Sequence, residues 1–230
     1  MDFAGIRHLT FDCFGTLIDW ESGILRAIRP VLTVHGVRPD DHEILARFAD
    51  IESALEAGPF LRYRDVLRHT MVQLCEHFGI APDSKEIERL PDSLHRWPAF
   101  PDTANSLQRL ASIATINILS NVDADLFEGV APALGVEPLH IVTADYCRSY
   151  KPNPRHFKVA LALLDAEPDA VLHVAQSLYH DIPPARALGM RTVWVDRRHA
   201  KTGSGATPIS TSTPHLRVRS LAELASMMGV

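Results

Sequence analysis

The feature that most constrains this chain is an alternation that begins, is interrupted once, and then resumes. Short apolar runs, β-branched or aliphatic, occur at Arg7–Asp12, Ala114–Leu119, His140–Thr143, Ala170–Ala175, Thr192–Val195 and, more weakly, Leu216–Val218. Each is bounded by turn residues and too short for a helix, so each predicts a strand. Helical periods lie between them, at Thr103–Ser112, Asp123–Leu134, Pro154–Leu164, Pro183–Leu188 and Leu221–Met228. Strands joined through helices run parallel, and a parallel sheet needs cover on both faces.

The interruption spans residues 21–96, which hold no convincing strand. Helical periods appear there near Gly23–Val34 (with a kink expected at Pro30), His42–Leu55, Arg64–Phe78 and Ser84–Leu94. Gly36, Pro39, Gly58-Pro59, Gly79 and Pro82 separate them. The expected fold is therefore α/β: a Rossmann-like parallel sheet core with helices on both faces and a small all-helical cap inserted after the first strand. The corresponding division is a core of residues 1–18 and 97–230 and a cap of residues 19–96, with Trp97–Asp102 as the return linker. Lys201–Pro214, rich in Gly, Ser and Thr, reads as a mobile surface connection.

Composition excludes several classes. A 230-residue chain that is 46% hydrophobic can bury one substantial core, or one core plus a small satellite. A net charge of −5 without any Lys/Arg run leaves no nucleic-acid footprint. No apolar stretch approaches the roughly 18 residues of a membrane span. The N-terminus runs into a strand without a signal-peptide pattern. Cys13, Cys75 and Cys147 are scattered without ligand-like spacing, which fits a reducing compartment. The expected location is cytoplasmic.

Ligands of open parallel sheets bind at the carboxyl ends of the strands. Polar clusters sit at those ends here: Asp12-Cys13-Phe14-Gly15-Thr16-Leu17, Ser120-Asn121, Lys151 ahead of Pro152, and Gln176-Ser177-Leu178-Tyr179-His180-Asp181. Singly, each has an ordinary explanation as a cap, a turn or a solvated side chain. Together, in this order and with a helical insert after the first, they resemble the motifs of the haloacid dehalogenase superfamily over essentially the whole chain. The resemblance implies that Asp12 is a nucleophile, fixed and partly desolvated at a strand end. Gly15 lets the backbone turn so that N–H groups near Cys13 and Phe14 face a bound anion. Thr16 and Ser120 supply orienting hydroxyls, and Lys151 keeps Asp12 ionised. Asp181 pairs with Lys151 and orients or deprotonates the hydrolytic water. The resemblance also implies that Ser177, in the same loop, binds substrate.

Departures from the motifs set the subclass. Superfamily phosphatases carry a second aspartate where this chain has Phe14, and a Gly-Asp pair where it has Ala175-Gln176. Magnesium wants hard anionic oxygens, and a neutral amide is a poor substitute. No metal or other cofactor is expected. An aromatic at the Phe14 position is a mark of the 2-haloacid dehalogenase branch. That branch implies attack of Asp12 on the α-carbon of a 2-haloalkanoate, loss of halide with inversion, and hydrolysis of the aspartyl ester to a 2-hydroxy acid. The substrate carboxylate would sit on Ser120, the loop N–H groups and Lys151. Asn121 and a cap arginine, Arg47 with Arg62 and Arg64 as rivals, would cradle the halide. Trp20, Phe60 and Tyr63 are candidates to line an apolar pocket. Alternatives are fluoroacetate, ring opening of azetidine-2-carboxylate with Tyr63, His180 or Glu52 as proton donor, a phosphatase, and a non-catalytic binding protein. The partner implied is a small-molecule carboxylate, with neither nucleic acid nor membrane, and the resemblance also implies a homodimer.

Overall fold

The computed structural model describes residues 1–201 and 203–230. Its centre is a 6-stranded sheet of β1 (His8–Phe11), β2 (Thr115–Leu119), β3 (His140–Val142), β4 (Val171–Ala175), β5 (Arg191–Val195) and β6 (Leu216–Val218), ordered β3-β2-β1-β4-β5-β6. Every neighbouring pair is parallel, and His8 is in register with Thr115 on one side and Val171 on the other. The chain winds outward from β1 to β3, then returns to the other side of β1 for β4 to β6. That reversal makes the carboxyl ends of β1, β2 and β4 a topological switch point. Strand β4 is buried along its whole length, as expected for a strand covered on both faces.

Between β1 and β2 come α1 (Trp20–Val34), α2 (Asp41–Glu56), α3 (Tyr63–His77) and α4 (Ser84–Glu88). Carboxylates start three of them: Asp19 accepts from Ser22 N–H, Asp40 from Glu43 N–H, and Asp83 forms a capping box with Glu86. Helix α1 continues past Pro30 to Val34. The helix expected over Ser84–Leu94 stops at Glu88 and gives way to a 3-10 turn at Pro91–Arg96, because Pro91 has no N–H to extend it. After the return come α5 (Thr103–Leu110), α6 (Ala124–Glu128), α7 (Ala144–Cys147), α8 (Arg155–Leu164), α9 (Ile182–Ala187) and α10 (Leu221–Met227). The helix expected over Asp123–Leu134 divides around Gly129 and Pro132 into α6 and a 3-10 turn at Ala131–Leu134.

The outgoing and returning segments of the helical insert lie side by side. Ile18 bridges Ala99 antiparallel, and Asp19 N–H donates to Pro98 C=O at 2.7 Å. Packing does not stop at this boundary. One continuous buried cluster joins Leu9 and Phe11 of β1 to Ile24, Phe48 and Leu67 of the inserted helices. Among the described residues, no helix is long and apolar enough to cross a membrane.

The 201–214 segment departs from the surface connection expected of it. Ala206 and Thr207 are buried, and Ala206 N–H donates to Glu21 Oε1 at 3.3 Å. The Glu21 carboxylate, buried with Arg198 as its ion-pair partner, is what draws the segment inward. Gly205 permits the approach: its φ is +71°, and a Cβ there would stand 1.8 Å from Glu21 Oε1. Thr202, within the same expected segment, lies outside the described residues.

Candidate active site

Strand β1 ends at Phe11 and delivers Asp12 to the switch point. The chain then folds over itself, with Cys13 C=O accepting N–H groups from Thr16, Leu17 and Ile18 at 3.3, 2.7 and 3.1 Å. Gly15, at φ +92°, makes this turn possible. The turn brings the Thr16 hydroxyl to Asp12, where it donates to Oδ2 at 2.6 Å. Thr16 Oγ1 in turn accepts the Gln176 N–H at 2.8 Å, so the loop after β4 holds the loop after β1.

Lys151 is 1% exposed. Its Nζ donates to Asp12 Oδ1 at 2.9 Å, to Asp181 Oδ1 at 2.7 Å and to Leu119 C=O at 2.9 Å. An ammonium has three protons, and all are committed. Asp181 Oδ1 also lies 2.9 Å from His173 Nε2, whose Nδ1 is 2.9 Å from Thr10 Oγ1. Among the described residues, Asp181 Oδ2 is left buried without a hydrogen-bond partner, as are Ser120 Oγ and His180 Nε2. Unsatisfied buried polar atoms beside a buried ion cluster mark where a ligand or water belongs.

Burial and charge act against each other here. Burial pushes the Asp12 carboxyl up, while Lys151 and the Thr16 hydroxyl pull it back. Burial also opposes ionisation of Asp181, but Lys151 and His173 outweigh it and hold that carboxyl below the usual carboxylate range. Lys151 itself is held above the ordinary lysine value by the two carboxylates, against its own burial.

The inserted helices close the other side. Glu52 and Glu56, one turn apart on α2, line the same cavity as Asp12, with Tyr63 of α3 and Trp20 of α1. The cavity is small, about 40 Å³. Tyr63 OH donates to Glu52 Oε1 at 2.5 Å, and Asn121 Nδ2 donates to Glu56 Oε1 and Oε2 at 3.3 and 3.1 Å. Burial pushes the Glu52 carboxyl up to about 8 and raises that of Glu56 well above its ordinary value, with Glu52 adding to the latter. His180 Nε2 stands 3.7 Å from Glu56 Oε2, and burial pushes His180 down to about 4. A larger cavity of about 370 Å³ adjoins on the outer side and shares Glu56, Lys151 and His180 with the inner one.

Of the residues singled out in the sequence, Asp12, Phe14, Ser120, Asn121, Lys151, Ser177 and Asp181 all line the inner cavity, and Thr16 reaches it through Asp12. Cys13 does not: its side chain is fully buried in the core, and burial pushes its thiol up. Arg47 is a correction. Its Nη2 lies 2.8 Å from His77 Nδ1 and its guanidinium pairs with Asp50, away from the cavity. The helical period explains this, since Phe48, Glu52 and Glu56 share the inward face of α2 and Arg47 is turned about 100° from it. Arg62 is engaged with Asp123, Asp125 and Asp145, and Arg64 with Asp92 and Asp125. None of the three arginines lines the cavity.

Glu56, His173 and Thr207 were not singled out in the sequence. A carboxylate in register with Phe48 and Glu52 was the available signal for Glu56, and a histidine inside the apolar run Val171–Ala175 was the signal for His173. Thr207, which lines the cavity and donates to Gln176 Oε1 at 3.2 Å, had none. The residues do not fit magnesium. Phe14 and a Gln176 amide already engaged by Thr207 stand where anionic ligands are needed, and the Lys151 ammonium lies between Asp12 and Asp181. The described residues contain no group of three or more His, Cys, Asp or Glu side chains arranged to hold a metal ion.

Comparison with known proteins places this arrangement. The family model for haloacid dehalogenase-like hydrolases matches residues 6–189, and the chain belongs to that family. It is 29% identical over 198 residues to (S)-2-haloacid dehalogenase 1 of Pseudomonas sp. (strain CBS-3), covering 84% of this chain and 85% of that protein. It is 24% identical over 198 residues to haloacetate dehalogenase H-2 of Moraxella sp. (strain B), covering 84% of this chain and 86% of that one. The crystal structure of an L-2-haloacid dehalogenase superposes with a TM-score of 0.80 at 26% identity, over 97% of this chain and 98% of the other.

Proposed function

We propose that this chain is a metal-independent 2-haloacid dehalogenase that works through an ester on Asp12. The observation that carries the reading is the environment of Asp12: one carboxylate oxygen held by Thr16, the other by Lys151, with the aromatic Phe14 where a phosphatase needs an acid. Both carboxylate oxygens are oriented by donors, so attack is directed, and a halide leaves as a stable anion without a metal. Water then attacks the ester carbonyl. Asp181, kept ionised by Lys151 and His173, is suited to take the water's proton through its unpartnered Oδ2. Ser120 Oγ, also unpartnered, is suited to the substrate carboxylate. The names of the relatives support an (S)-2-haloalkanoate as substrate.

The test is halide release by purified protein from L- and D-2-chloropropionate, with and without excess EDTA. EDTA-resistant release from the L form, abolished in Asp12→Asn, is the expected result. Release that needs added magnesium, or that survives Asp12→Asn, overturns the reading.

A further inference from the structure

The cavity that holds Asp12 also holds, against Asn121, the buried carboxyl group of Glu56. Asn121 Oδ1 accepts the Lys151 N–H at 2.8 Å, which fixes the orientation of the amide and makes Nδ2 the donor to Glu56. The Glu56 side chain is 5% exposed, and among the described residues its ion-pair contact is with His180 alone, at 3.7 Å from Oε2. All three protons of Lys151 are spent elsewhere, and His180 is uncharged near neutral pH. An ionised Glu56 would therefore stand uncompensated beside a second anion as the carbon–halogen bond breaks. Burial and the neighbouring Glu52 keep it in the acid form instead. A carboxylic acid has one proton to offer. Its contact with Asn121 cannot use that proton, because the amide nitrogen is itself a donor.

Resting on the dehalogenase reading, we propose that Glu56 donates a hydrogen bond to the departing halide, standing in for a cationic cap residue, and that this extends the leaving groups of the site to fluoride. The bonds balance simply. An oxygen of Asp12 bonds to the α-carbon, the carbon–halogen pair departs with the halogen, and the negative charge passes from Asp12 to the halide. Glu56 keeps its proton and shares it with that halide. A neutral donor discriminates between halides. Its hydrogen bond strengthens with the basicity of the acceptor, so fluoride gains most and bromide least. Glu52, held by Tyr63 OH one turn back on α2, supplies the second buried acid that favours the neutral form of Glu56.

The experiment compares kcat/KM for 2-bromo-, 2-chloro- and 2-fluoropropionate in the wild-type protein, Glu56→Leu and Glu56→Gln. This ratio reports the halide-releasing step even where ester hydrolysis limits turnover. Glu56→Leu is expected to lose about 100-fold on the fluoro substrate and less than about tenfold on the bromo substrate. Glu56→Gln keeps an N–H donor and the size of the side chain, so its losses follow the same order over a narrower spread. If Glu56→Leu does not fold, that order in Glu56→Gln carries the result. Equal losses on all three substrates would remove the role of Glu56 and leave the dehalogenase reading intact. No halide from any substrate with the wild-type protein would overturn both, a result visible before any variant is made.

Discussion

Asn121 and Lys151 are fastened to each other by two hydrogen bonds that run in opposite senses. The Lys151 N–H donates to Asn121 Oδ1 at 2.8 Å, and Asn121 Nδ2 donates to the Lys151 C=O at 3.2 Å. The pair fixes the backbone from which the Lys151 side chain extends to two carboxylates. Asn121→Ala leaves a buried N–H and C=O without their partners, and is expected to lower stability by about 1–3 kcal/mol. Urea unfolding measures this, and halide release should fall along with it.

Lys151→Met removes the one cation, among the described residues, that Asp12 and Asp181 both contact by hydrogen bond. Two carboxylates would then be buried without it, a loss of about 3–5 kcal/mol. Adding Asp12→Asn to Lys151→Met removes one of the stranded charges. The double variant is therefore expected to be more stable than Lys151→Met alone, and denaturant midpoints of the set check this.

Asp181→Asn separates the two steps of the proposed reaction. Ester formation does not need Asp181 as a base, whereas ester hydrolysis does, so the second step is expected to slow by about 10²–10⁴-fold. Intact-protein mass spectrometry of the quenched reaction should find the chain heavier by the acyl group. His173→Gln, which alters the hydrogen bond to Asp181 Oδ1, should accumulate the same species to a smaller extent.

Glu52 gives a pH dependence with a definite sign. It titrates at 4.5 in its ordinary state and is pushed up to about 8 by burial in the fold. The folded protein therefore holds a proton that the unfolded chain has released between these values, and stability is lost as pH rises toward the upper one. The urea midpoint should fall from about pH 6.5 to about pH 8.5, and fall less in Glu52→Gln. His156 and His180, pushed down from 6.5 to about 3 and about 4, act in the opposite sense while the unfolded chain still binds histidine protons, so they offset the Glu52 effect only at the lower edge of that window.

The sheet was legible because its strands are uniform. Runs such as Val171–Ala175 announce a doubly covered strand, and turn residues announce their ends. Asp12, Ser120 and Asp181 were legible for a related reason. The first two directly follow β1 and β2, and Asp181 lies in the loop after β4, so sequence order alone carries them to the carboxyl end of the sheet; Lys151 joins them only after the short helix α7. The helical side of the cavity was not. Which face of α2 turns inward is settled by packing of Phe48 against the core, a long-range fact, and the expectation that Arg47 reaches the cavity failed there. Thr207 was hidden because a Gly/Ser/Thr segment carries no periodic pattern. What holds it is a buried acid, Glu21, far away in the chain.

Asp12 is gripped at both oxygens, Thr16 on Oδ2 and Lys151 on Oδ1. In the proposed reaction one oxygen becomes the ester bridge and the other remains a carbonyl. Whichever is used, the one left over already has a donor pointing at it. When water adds to that carbonyl and charge gathers on its oxygen, the group that aligned the nucleophile is in place to steady the oxyanion. The nucleophile thus carries its own oxyanion hole into the second step, and no donor has to be recruited between the two halves of the cycle.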